Sequence, residues 1–160
     1  FDTNKMIKIV NEVANATGHA GMIGGQVLDL NSEGKDVEIP TLEYIHTHKT
    51  GSLITVSVRV GAQLGGGSPE EIDLLSKYGE NIGLAFQIMD DIADVQEKGE
   101  NGEVEGDPKR RKVTYPAIFG QEKSRKKVAE LIGKAIAFLK SFDDKADPLR
   151  EIAGYIAKQE

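Results

Sequence analysis

The chain of 160 residues has no cysteine, no excess of positive charge and no apolar run approaching the roughly 20 residues of a membrane-spanning helix. Without cysteine there are no disulfide frameworks and no thiolate zinc sites, as fits a reducing cytoplasm, where the protein is expected. A net charge of −6 argues against nonspecific nucleic-acid binding, because phosphate backbones recruit net basic surfaces. No secretion signal opens the chain, although Phe1 stands where an initiator methionine would. With no internal repeat and no linker, residues 1–160 read as one domain large enough for a core.

What is present is mostly helical in pattern. Met6, Ile9, Val10 and Val13 recur at helical spacing over residues 3 to about 16. Gly18, Gly21, Gly24 and Gly25 lead into a second helical stretch, where small residues permit close helix approach or line a cavity wall. No strand precedes these glycines, so they are not a dinucleotide fingerprint. A polar loop over 31–39 precedes a helix entered at Pro40-Thr41. Residues 53–60 alternate as a strand would, and propensity favours strand there. Helix is expected nevertheless, because a lone strand would have nothing to pair with.

Ser68-Pro69-Glu70-Glu71 announces a helix with a capping box, expected to run to about Glu97. Gly79 and Gly83 inside it each weaken it by up to about 1 kcal/mol relative to alanine, which points to tight packing there. After a charged loop over 98–111 come a turn at Thr114-Tyr115-Pro116, an amphipathic helix over 121–142 with Lys123 to Lys127 on its solvated face, and a last helix capped at Asp147-Pro148.

Chemistry concentrates in Phe86-Gln87-Ile88-Met89-Asp90-Asp91-Ile92-Ala93-Asp94-Val95. Asp90 and Asp94 are spaced i, i+4 and Asp91 and Asp94 i, i+3, so a helix gathers all three on one side. The apolar residues between them, from Ile82 to Val95, cover nearly the whole circumference, so the helix reads as buried. Buried carboxylates cost several kcal/mol each unless compensated, and the expected compensation is Mg²⁺, which takes one or two carboxylates and completes its shell with water and phosphate. His46-Thr47-His48-Lys49-Thr50-Gly51 places a lysine and a hydroxyl on an apolar stripe. His46 and His48 read as packing and surface residues, since no acid stands beside them at ligand spacing. Basic residues from Lys109 to Lys112 follow the acidic helix, and together these groups make a clamp for a diphosphate.

Four segments carry a resemblance to a known family: Gly21-Met22-Ile23-Gly24-Gly25-Gln26-Val27-Leu28-Asp29, His46-Thr47-His48-Lys49-Thr50, Phe86 to Asp94, and Asp107-x4-Lys112-x-Thr114-Tyr115-Pro116. In this order and spacing the chain resembles the trans-isoprenyl diphosphate synthases, the farnesyl and geranylgeranyl diphosphate synthases of the polyprenyl synthetase type. The resemblance implies an all-α, isoprenoid-synthase-like bundle of antiparallel helices around a central cavity, forming a homodimer. It implies that Asp90 and Asp94 hold Mg²⁺ with Asp91 in support, and that Lys49 and Lys112 face diphosphate oxygens. Thr50, Gln87 and the Lys49 carbonyl would lie near an allylic carbocation, and Gln26, Asp29 and Asp107 would line the site. The implied reaction joins an allylic diphosphate to isopentenyl diphosphate.

Two departures matter. The family's first aspartate-rich motif has no match here, so the chain is expected to be the C-terminal half of a longer synthase, without synthase activity by itself. Glu103 stands where the family has a lysine. The competing expectations are a non-catalytic helical subunit that modulates a synthase, and a terpene cyclase.

Overall fold

The computed structural model describes residues 2–35, 37–97 and 114–158. Lys112, Asp107 and Glu103 therefore lie outside the described residues. Those described form eight α-helices and no strand: α1 (Thr3–Thr17), α2 (Met22–Ser32), α3 (Ile39–His46), α4 (Ser52–Leu64), α5 (Pro69–Glu97), α6 (Tyr115–Phe119), α7 (Gln121–Phe138) and α8 (Asp147–Ala157). A π-helical turn, Thr47–Gly51, joins α3 to α4. Among the described residues no helix is long and apolar enough to cross a membrane.

Helix α5 is the central element and packs against α4 on one side and α7 on the other. Its start follows from the sequence: Ser68 Oγ accepts the Glu71 N–H at 3.2 Å, and the Glu71 carboxylate accepts the Ser68 N–H at 2.7 Å. Tyr78, Ile82, Ala85, Met89 and Ile92 repeat at three and four residues and form its buried stripe, closed over by Val128, Leu131 and Ala135 of α7 and by Ala153 and Ile156 of α8. The larger of these side chains, such as Ile82, Met89, Ile92 and Leu131, each contribute about 1.5–3 kcal/mol when removed from water.

The glycines set how close the helices come. A Cβ at Gly79 would stand 3.0 Å from Thr55 Cα, and one at Gly83 2.8 Å from Gly51 Cα, so α4 and α5 run antiparallel with backbones nearly touching. On the other side of the π-turn, a Cβ at Gly25 of α2 would lie 2.3 Å from the Lys49 nitrogen. The Lys49 turn is thus wedged between α2 and α5.

Residues 53–60 are helical within α4, as expected. Three expectations are corrected. The helix over 121–142 stops at Phe138, because the Arg150 guanidinium takes the Leu139 and Phe142 carbonyls at 2.7 and 2.8 Å and turns the chain there. Asp147 is the first residue of α8 rather than its cap: a 3₁₀ turn, Asp144–Ala146, capped by Asp143, runs straight into the helix, and the Asp147 carboxylate pairs with Arg150 at 2.6 Å. Nor is α5 enclosed on all sides. Phe86, Asp90 and Ala93 are exposed, one open strip that no described element covers.

Candidate active site

The three aspartates occupy three environments. Asp91 is fully buried, Asp94 half-buried and Asp90 exposed. Asp91 Oδ2 accepts the Tyr115 N–H at 2.8 Å and lies 3.2 Å from His46 Nε2, so one carboxylate joins α5 to α3 and α6. Gln87, one turn earlier, lies between the acids and the Lys49 turn. Its Nε2 donates to Asp90 at 3.3 Å and to Asp91 at 3.4 Å, while its Oε1 accepts the Thr50 hydroxyl at 2.7 Å.

The π-turn gives Lys49 and Thr50 different directions. Such one-residue expansions are rare in helices and cluster at functional positions. Thr50 faces Gln87 on α5, while Lys49 Nζ reaches back to the Asp29 carboxylate of α2 at 2.6 Å, with a third of its side chain still open to solvent. Gly25, one turn before Asp29, makes this possible, since a larger residue would push α2 away from Lys49. Gln26 is half-buried on the same helix.

Six of the sequence-predicted site residues therefore form two hydrogen-bonded groups flanking the π-turn, Asp29–Lys49 and Thr50–Gln87–Asp90/Asp91. Asp94 lies one turn beyond Asp90 on α5. Sequence reasoning missed His46 and the Tyr115 amide as partners of Asp91. The available signal was the acid itself, since a carboxylate between Met89, Ile88 and Ile92 must find donors somewhere in the fold. Burial raises the pKa of Tyr115, with the Glu43 and Glu130 charges adding to the effect.

Among the described residues no group of three or more His, Asp or Glu side chains forms a metal cage. Asp90 and Asp94, hard oxygen donors one turn apart with solvent access, fit instead an ion that takes few protein ligands and fills its shell with water and phosphate. Clefts of about 520 Å³ beside Glu12, Thr47 and Arg59, and about 990 Å³ beside Gly66, Phe142 and Leu149, include neither Lys49, Gln87 nor Asp90. The polar cluster, buried at Gln87 and Asp91 and open to solvent at Asp90, is part of neither cleft.

A family model described as polyprenyl synthetase matches residues 2–152. A farnesyl diphosphate synthase of Escherichia coli (strain K12) is 44% identical over 159 residues, which cover 96% of this chain and 53% of that protein. A dimethylallyltranstransferase of Fischerella ambigua is 42% identical over 156 residues, covering 96% of this chain and 45% of the relative. In the crystal structure of a putative farnesyl-diphosphate synthase from Marinomonas sp. MED121, the matching fold superposes with a TM-score of 0.83 at 40% identity, covering 97% of this chain and 53% of that one. The chain spans about half the length of the curated relatives it matches.

Proposed function

Because this chain belongs to the polyprenyl synthetase family, we propose that it is the C-terminal half of a trans-prenyl diphosphate synthase, joining an allylic diphosphate to isopentenyl diphosphate. The observation that carries this reading is the contact of Thr50 with Gln87 at 2.7 Å, which brings the lysine-threonine turn and the aspartate helix together around one site.

Lys49 holds the diphosphate of the allylic substrate. Asp29 takes one of its three N–H donors and aims the ammonium, leaving the others for phosphate oxygens. Lys112 is proposed to add a second cation, and Gln26 and Asp107 to line the same site. Asp90 and Asp94, with Asp91 behind them, would hold Mg²⁺, whose charge makes the diphosphate a better leaving group. The C1–O bond of the allylic substrate breaks and the diphosphate departs with the electron pair. Thr50 Oγ1, Gln87 Oε1 and the Lys49 carbonyl present oxygen dipoles to the resulting cation. The double bond of isopentenyl diphosphate attacks C1, and the proton lost from its C2 passes to the departed diphosphate. Water must be kept from the cation, or it captures it.

The partner over α1 is proposed to be a second copy. Met6, Ile7, Val10 and Val13 form an exposed apolar strip on that helix, Ile7 and Val10 each at 63% exposure.

The test is a thermal-shift titration with Mg²⁺ and a bisphosphonate, combined with product analysis on the longer polypeptide. Stabilisation that needs both ligands, with chain-extended diphosphates as products, supports the reading. Stabilisation without any product would instead indicate a modulating subunit, and cyclic hydrocarbons formed without isopentenyl diphosphate would indicate a cyclase.

A further inference from the structure

We infer that His46 is a positioning residue for this reaction: it holds the buried Asp91 carboxylate, and through Asp91 it sets the orientation of the Gln87 amide that receives Thr50. The inference rests on the functional reading above.

Asp91 is 0% exposed, so its charge must be met by protein donors rather than water. Among the described residues, the donors that reach it include the Tyr115 N–H, which belongs to the main chain, and the Gln87 amide, which is long at 3.4 Å and shared with Asp90. His46, itself 2% exposed, adds a side-chain contact at 3.2 Å to Oδ2. A carboxylate oxygen only accepts, so the geometry assigns the ring hydrogen to Nε2. Among the described residues Nδ1 is buried without a hydrogen-bond partner, which a lone pair tolerates better than an N–H would. Only the Nε2 end of the ring is used.

The Gln87 amide has two working ends. Its oxygen accepts from Thr50 and its nitrogen leans on Asp90 and Asp91. If Asp91 loses its His46 contact, the carboxylate rotates or recruits water. The amide then loses its reference, and the Thr50–Gln87 pair drifts from the reacting carbon. Histidine is therefore replaceable here only by a side chain that puts an N–H where Nε2 stands. Glutamine does so; asparagine places its amide nitrogen where Nδ1 stands.

The experiment compares His46→Ala, His46→Asn and His46→Gln in the longer polypeptide, by steady-state kinetics and by hydrogen exchange of the peptide containing Tyr115. The alanine and asparagine variants are expected to lose about 10- to 100-fold in kcat with little change in KM, and the glutamine variant to recover most of it. Tyr115 amide protection should fall in the first two and be kept in the third. Equal kcat in the asparagine and glutamine variants would overturn the inference, as would equal Tyr115 protection. If the wild type shows no turnover, the functional reading fails and the positioning role with it, while the exchange comparison still decides whether His46 secures Asp91. Should the alanine variant not fold, the glutamine and asparagine pair suffices.

Discussion

Asp90 and Asp91 are sequence neighbours, but a helix turns about 100° per residue, which leaves one carboxylate exposed and encloses the other. The two should therefore respond differently to truncation. Asp90→Ala is expected to leave unfolding by urea within about 0.5 kcal/mol of wild type, while abolishing Mg²⁺-dependent turnover. Asp91→Ala should cost about 2–4 kcal/mol in the same experiment, because it leaves the Tyr115 N–H and His46 Nε2 buried without their acceptor. The spacing of the acids was readable, and so were Lys49, Thr50 and Gln87 as candidates. The His46–Asp91 contact was not, because it joins two segments far apart in the chain, and no local spacing rule reports which donor a buried acid will find.

At the scale of the helices, two devices hold the frame of the site. The first is backbone contact at glycine. Gly83→Ala would drive a Cβ to within 2.8 Å of Gly51 Cα, where no flexible side chain can yield. We expect a loss of about 1–3 kcal/mol, measured by chemical denaturation, together with weaker diphosphate binding as the π-turn shifts. The second is the Tyr78 hydroxyl, which donates to the Leu149 carbonyl at 2.7 Å and ties α5 to α8. Burial pushes its pKa to about 12 from the ordinary 10.0. A group whose folded pKa is raised contributes stability that is complete below its unfolded value and lost as pH rises through the folded one. Unfolding midpoints should therefore drop between about pH 10 and 12, and Tyr78→Phe should flatten that part of the profile. The capping box behaves with opposite sign, since its hydrogen bonds with Ser68 lower the Glu71 pKa and its contribution fades only in acid. Helical period made α1 legible beforehand and the capping box α5, whereas the strand-like alternation of α4 reads as helix only because a lone strand would have no partner. The early end of α7 was not legible, because Phe138 to Phe142 continue the apolar period while the carbonyls there are taken by Arg150, from the next helix, and by tight backbone turns.

For the whole molecule, the chain carries the lysine-threonine turn and one aspartate helix, while spanning about half of its relatives' length. If the chain is half of a longer synthase, as proposed, the purified 160-residue chain is expected to show no synthase turnover and the longer polypeptide to restore it. Product analysis on the two preparations checks this, and turnover by the short chain would show that one aspartate helix is enough. If a second copy covers α1, Val10→Glu should shift the protein from dimer to monomer in analytical ultracentrifugation, because a charge in the middle of an apolar interface is costly to bury. An unchanged sedimentation coefficient would remove α1 from the interface.

Periodicity, capping and motif order were enough to establish the helical class and the family and to name candidate site residues, because each depends on chemistry within a few turns of one helix. Which aspartate is enclosed, how the π-turn divides Lys49 from Thr50, and that His46 secures Asp91 were decided only by packing. Those outcomes depend on the distance between α2, α3, α5 and α6, and that distance is set by contacts among residues widely separated along the chain.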